Sequence, residues 1–447
     1  MIYRIFKRMS SARIIAAGYA VIILIGALLF MLPISAKGQP ATPMEALFTA
    51  VSSTCITGFV LADNFVRWST FGHVVMLLLI QIGGLGFMTM ICLAARAMGK
   101  RFGLKESLVL QDSLTNPDLG GIVLLAGHIA AGTAIFEFMG AVIFMTRLIP
   151  EMGVAQGIWN SIFFSVSAFC NAGIDLFGRY GEYSSLTHFA DDPVLLMTAA
   201  VLMTVGGIGF AVWNDMLEHG FHLRRYSLHS KLVLYITAFL TVTGTVLYFL
   251  FEQNFTIRDM PLSQQLYISV FNSVMPRTGG FNCVDFNQMS PASKVLTLMY
   301  MFIGGSPGST AGGVKTTTFA IMLLSAWAGF RNRSEVDVLG RRLESDAPMK
   351  ALAVIVINLF LAIIAVITLN AIQPELGTFG VMLEVFSAIT TCGISSGATR
   401  HLSFPAQIMI MLLMYCGRVG SVTFALVFTR SPVKTGIHNP SEPVSIG

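Results

Sequence analysis

The stretch ALFTAVSSTCITGF, Ala46–Phe59, decides how this 447-residue chain is read. It is too apolar for an ordinary loop, yet shorter than the roughly 20 residues that cross a hydrocarbon core of about 30 Å as helix. Runs that are long enough flank it near 14–33 and 73–97, and others follow near 121–146, 193–218, 232–251, 295–330, 350–371 and 405–429. Only 11% of residues are charged, against about 25% in soluble domains, and 54% are hydrophobic. The chain therefore reads as an all-α integral membrane protein with eight transmembrane helices. The basic flank RIFKR, followed by an apolar run without a convincing cleavage site, makes the first run a retained span.

Three more stretches share the character of the first: SIFFSVSAFCNAGI (161–174), SVFNSVMPRTGGF (269–281) and LEVFSAITTCGI (383–394). Aligned on Gly58, Gly173, Gly280 and Gly393, the position six residues earlier holds Ser52, Ser167, Val274 and Ser387, and the glycines are 115, 107 and 113 residues apart. A second landmark follows 24 to 33 residues after each glycine: QIGGLGF (81–87), TVGGIGF (204–210), FIGGSPG (302–308) and YCGRVGS (415–421). Two landmarks in register four times imply four copies of one unit, helix, re-entrant pore loop, helix, around a pseudo-fourfold axis. The copies are expected at 1–110, 111–230, 231–345 and 346–430, with pore loops near 43–60, 158–175, 263–282 and 380–395, and a cytoplasmic tail at 431–447.

Non-helical backbone is tolerated at membrane depth only where protein buries it or where it lines a water-filled path. Four such loops around an axis make a pore. Each short helix ends with about half a negative charge, which favours a cation at the centre. The carbonyls that follow can replace a cation's hydration shell, and glycine lets the backbone come close. A single loop glycine is ordinarily a turn residue; the fourfold register is what points to a filter. Because each loop keeps one glycine where tetrameric potassium channels stack TVGYG, fewer carbonyl rings and a less stringent ion preference are expected.

Lys and Arg set the orientation. One side carries Arg4, Lys7, Arg8, Arg13, Arg96, Lys100, Arg101, Lys105, Arg224, Arg225, Lys231, Arg331, Arg333, Arg341, Arg342, Lys350, Arg430 and Lys434. The other carries far fewer, which places both termini in the cytoplasm. The net charge of +5 reflects that topology and gives no case for nucleic-acid binding. Six cysteines lie singly, without a CxxC pair, and read as buried packing residues.

The run from 295 to 330 is too long for one unbroken span, and it contains Gly304, Gly305, Ser306, Pro307, Gly308, Ser309, Thr310, Ala311, Gly312 and Gly313. A break here falls just below the filter, where a small polar segment can obstruct the path: a gate, with the loop spanning 304–315. For QIGGLGF and TVGGIGF, close packing of small residues is the preferred reading. Arg418 replaces a glycine in the fourth copy, at a depth where a guanidinium needs water or a partner. It either faces the cavity as part of the barrier or pairs with Glu137. Lys315 reads as a snorkelling anchor.

At this point the chain resembles the Ktr/Trk/HKT superfamily of potassium-translocating proteins, and within it the Ktr-type membrane subunit. The resemblance rests on the four loop glycines, on PRTGGFN and GGSPGSTAGG in the third copy and on GRVG in the fourth. The two additional N-terminal spans of Trk-type subunits have no counterpart here, which favours the Ktr type. The resemblance implies a selectivity filter, binding K+, at Thr57, Gly58, Ala172, Gly173, Gly279, Gly280, Cys392 and Gly393. Cys55, Ile56, Asn171, Arg277, Thr278 and Thr391 would support it. Glycine at Gly58, where some plant relatives that pass sodium carry serine, marks a potassium-preferring member. The resemblance further implies a homodimer in the cell membrane, with sodium stimulation, docked on a cytosolic nucleotide-binding regulatory ring. The nucleotide belongs to that ring: this chain has no GxxxxGK[ST] and no cofactor is expected on it.

Two other classes compete. Gly304–Gly308 satisfies GxSxG, as in intramembrane serine proteases, but a serine nucleophile needs a base, and the one His well inside a span, His128, lacks the accompanying HxxG. A secondary carrier of a small solute fits two large repeats better than four short ones.

Overall fold

The computed structural model describes residues 10–98, 107–111, 122–220, 222–333 and 335–420. The topology-setting residues Arg4, Lys7, Arg8, Lys100, Arg101, Lys105, Arg430 and Lys434, the end of the eighth expected span and the tail 431–447 lie outside the described residues.

Among the described residues, four helices are long and apolar enough to cross a membrane by themselves: α1 (Ser11–Phe30), α5 (Ile122–Met152), α9 (Leu228–Glu252) and α13 (Ala347–Ile372). Each is followed by a shorter helix: α2 (Pro43–Thr54), α6 (Val154–Phe169), α10 (Leu262–Val274) and α14 (Thr378–Thr390). Then comes a returning helix: α3 (Thr70–Leu85), α7 (Pro193–Gly207), α11 (Pro291–Phe302) and α15 (Phe404–Val419). Caps written in the sequence start several of them. Thr42, Asp192 and Ser290 each precede a proline at the first helical position and accept a backbone N–H of the first turn.

Helices α1, α5 and α9 pack along the short helices that follow them. Returning helices reach across to the next unit: α3 touches α6, α7 touches α10, α11 touches α14, and α15 touches α2. These four contacts close a cycle, so the short helices stand in the middle, wrapped by their neighbours. Phe164 sits in the resulting core with Phe144, Phe177 and Phe281 around it.

The returning runs differ from expectation. Near 73–97 the chain bends by 97° between α3 and α4 (Phe87–Ala97), and near 193–218 by 93° between α7 and α8 (Phe210–His219). Gly86 and Gly209 sit at those bends with φ of 81° and 96°, and Gly420 closes α15 at 91°. That backbone conformation costs an L-residue about 1–2 kcal/mol, so the last glycine of each motif ends the helix. In the third copy the aligned residue is Pro307, whose ring fixes φ negative. There the gap widens: α11 ends at Phe302 and α12 (Thr316–Phe330) begins only at Thr316.

Candidate functional site

Residues two before each loop glycine are Ile56, Asn171, Thr278 and Thr391, and all four adopt left-handed φ, of 51°, 56°, 80° and 53°. The glycines themselves, Gly58, Gly173, Gly280 and Gly393, have φ of 92°, 65°, 74° and 92°. Each short helix thus ends in the same reversal, and backbone bonds hold it. Thr57 N–H donates to the Ser52 carbonyl at 2.9 Å, Ala172 to Ser167 at 2.8 Å and Cys392 to Ser387 at 2.8 Å. In the third copy Gly279 N–H donates to Met275 O at 2.8 Å.

The four reversals meet in a ring. A methyl added at Gly58 would lie 2.8 Å from the Ala172 carbonyl oxygen, and one at Gly173 would lie 3.3 Å from that of Gly279. At Gly280 it would strike the carbonyl of Cys392, and at Gly393 that of Thr57. Every glycine therefore faces the preceding residue's carbonyl in the next copy, around the cycle and back. No Cβ fits, because the obstructing atoms are backbone. Four carbonyls converge at the C-terminal ends of four helices, a concentration of partial negative charge without any ionised group.

Side chains brace the ring unequally. Ser387 Oγ accepts Gly393 N–H at 2.9 Å, and Ser167 Oγ accepts Ile174 N–H at 3.2 Å while donating to Ile174 O at 2.5 Å. Ser52 Oγ is buried without a partner among the described residues. Asn171 donates to Met203 O at 3.2 Å and to Thr310 Oγ1 at 2.9 Å. Arg277 reaches Thr241 Oγ1 at 3.5 Å, and its Nε finds no partner among the described residues. Cys55 caps the end of α2, and all six cysteines are buried.

Under the ring lies the connection from Ile303 to Lys315. It folds on itself through Gly304 N–H to Val314 O at 2.9 Å and Ser306 Oγ to Thr316 Oγ1 at 2.8 Å. Ser306 N–H donates to Gly207 O at 2.9 Å, Thr310 N–H to Gly206 O at 3.2 Å, and Thr310 Oγ1 to Phe169 O at 3.2 Å. Gly308 O accepts Phe210 N–H at 2.8 Å, Ser309 Oγ donates to Ser306 O, and a methyl at Gly305 would strike Ala311. A methyl at Gly312 would strike Thr391 Oγ1, and one at Gly313 would come within 3.1 Å of Gly304 Cα. The connection is thus pinned against the second and fourth copies, directly below the reversals.

Arg418 completes that layer. It donates to Thr310 O at 2.7 Å, to Gly84 O at 3.2 Å and to Gly83 O. The expected alternative of a pair with Glu137 does not form, since Glu137 accepts from Gln81 Nε2 at 3.2 Å. Carbonyls rather than a carboxylate hold the two terminal nitrogens of the guanidinium, while its Nε has no partner among the described residues, and these bonds tie the first copy to the connection of the third. Lys315 also departs from expectation: its Nζ donates to Ala311 O at 2.8 Å instead of extending to the interface. The packing reading of the other two motifs holds, because a methyl at Gly83 would strike Thr54 O and one at Gly206 would strike Phe169 O. Both motifs are bends as well. Ser306 pairs with Thr316 and has no histidine beside it, while His128 lines a small cleft with Phe210 and Trp213.

Lipid-length helices around a ring of backbone carbonyls are the architecture of a polytopic membrane protein. Residues 7–434 match the TrkH family, described as a cation transport protein. The potassium/sodium uptake protein NtpJ of Enterococcus hirae is 36% identical over 99% of both chains. Ktr system potassium uptake protein B of Bacillus subtilis is 35% identical over 98% of this chain and 97% of that one. The crystal structure of the potassium transporter TrkH from Vibrio parahaemolyticus superposes with a TM-score of 0.76 at 17% identity, covering 94% of this chain and 86% of that one, a likeness of fold. The chain belongs to the TrkH cation transport family, and within the Trk/Ktr superfamily it is a Ktr-type subunit.

Proposed function

We propose that this chain is the potassium-translocating subunit of a Ktr-type uptake system, and that ions cross it through the ring of Gly58, Gly173, Gly280 and Gly393. The cyclic approach of each glycine to the next copy's carbonyl carries this reading: four reversals, each leaving little or no room for a Cβ, are what a ring open to an axis needs. Thr57, Ala172, Gly279 and Cys392 supply carbonyls in place of water, and one glycine per loop in place of TVGYG makes the preference for potassium moderate. The connection from Gly304 to Gly313 acts as the gate, with Arg418 as its latch and as a positive charge that raises the barrier beneath the filter. Eight spans with both termini cytoplasmic, a homodimer in the cell membrane and control by a cytosolic nucleotide-binding ring complete the proposal. Relatives named as potassium uptake proteins support the substrate, and the name of the Enterococcus hirae relative supports a part for sodium.

The test is uptake of potassium and sodium by cells lacking their own potassium uptake, comparing the parent chain with Gly58→Ser. Loss of potassium preference is expected. Unchanged selectivity would remove Gly58 from the filter.

A further inference from the structure

On the face of the ring away from the gate lies a cavity of about 110 Å³, floored by the four glycines. Three charged side chains line it: Asp63, Asp175 and Arg400. None of them makes an ion pair within 4.0 Å among the described residues. A frame drawn from all four copies holds them apart. Asp63 accepts Phe65 N–H at 2.9 Å, Val66 N–H at 3.2 Å and, across the mouth, Tyr183 N–H at 2.9 Å. Ser185 Oγ accepts Asn282 N–H at 3.3 Å. The Arg400 guanidinium stacks on the Tyr183 ring at 4.0 Å. Asp175 accepts Phe177 N–H at 3.1 Å and also hydrogen-bonds the Ser185 side chain.

Tyr183 and Ser185 both hold left-handed φ, of 61° and 48°, without being glycine. Such conformations cost on the order of 1–3 kcal/mol each and persist where the surroundings over-determine them. That strain fixes the aromatic platform, and the platform fixes the arginine. The result is a permanent positive charge in a small cavity with two carboxylates that it does not neutralise by contact.

We propose that Arg400 is an affinity-setting residue: a tethered cation at the outer mouth that competes with the incoming ion for the field of Asp63 and Asp175. The inference rests on the reading of the glycine ring as the ion path. A cleft lined by one sign of charge concentrates counter-ions, and an opposite charge within it lowers that concentration. The effect is electrostatic, so salt must weaken it.

The experiment measures potassium uptake against external potassium, at low and high ionic strength set with an impermeant salt, in proteoliposomes holding equal amounts of folded protein. Arg400→Gln should lower KM by about three- to tenfold at low ionic strength, with the gap narrowing in high salt. Arg400→Lys keeps the charge and should stay close to the parent, and Asp175→Asn should raise KM. Equal KM for Arg400→Gln and parent at both ionic strengths would overturn the proposal. So would an Arg400→Lys variant that behaves as Arg400→Gln, because Arg400 would then be a brace for Tyr183. Gly280→Ala, run alongside, separates the two readings. If it transports normally while Arg400→Gln shifts KM, the filter assignment falls and the mouth stands; if it fails while Arg400→Gln leaves KM alone, the reverse holds.

Discussion

The loop reversals and the returning-helix breaks are both fourfold, and they diverge in opposite ways. At the reversals unlike residues, Ile56, Asn171, Thr278 and Thr391, take one backbone conformation. At the breaks similar letters give unlike outcomes: a sharp bend after Leu85 and after Gly207, and a long connection after Phe302. Hydrogen bonds of the helix end and the closing of the ring impose the first. One residue decides the second, since proline at 307 cannot adopt the left-handed φ that glycine supplies at 86, 209 and 420.

Attacking the ring has the largest expected effect. Gly393→Ala puts a methyl into the Thr57 carbonyl and forces alanine to a φ of 92°, so potassium uptake should fall by about tenfold or more, measured as initial rate at equal expression. Normal rates would break the equivalence of the four positions. Next comes removal of residues 305–312, which deletes the part that sets the third copy apart. Basal flux should rise several-fold and lose its response to the proposed cytosolic nucleotide-binding ring, read with and without that ring; flux held at the parent level would leave the connection as a mere kink. A smaller change is expected from Asn171→Ala, which cuts the bond between a reversal and Thr310. One such bond contributes about 0.5–1.5 kcal/mol, so basal flux should rise about two- to tenfold. Finest of all is Ser387→Ala against Ser52→Ala. Ser387 bonds the Gly393 backbone and its loss should cost about 1 kcal/mol in thermal unfolding, whereas Ser52, without a partner among the described residues, should cost less than about 0.5 kcal/mol. Equal costs would show that the copies are braced alike.

The long helices and the register of Gly58, Gly173, Gly280 and Gly393 were legible in the sequence because apolar length and glycine are direct signals. Left-handed backbone at Ile56 and Thr391 was not, since neither residue type favours it and only the ring demands it. The bends after Leu85 and Gly207 left a trace that was read too narrowly. Each motif has a further glycine after the Gly-Gly pair, and that glycine, not the pair, carries the positive φ. Partners of Arg418 were out of reach, because they are carbonyls of Gly83, Gly84 and Thr310, and a carbonyl has no residue type to read.

The lone proline-bearing connection has a mechanical consequence. Under the proposed gating, three quarters of the wall beneath the ring are helix ends fixed by tight glycine contacts, and one quarter is a segment hung between Phe302 and Thr316. Such a passage works as a hinged door instead of an iris: one panel swings and the frame stays. A partner that controls it has no need to dilate the whole subunit; pulling on the single helix that follows the door, α12, is enough.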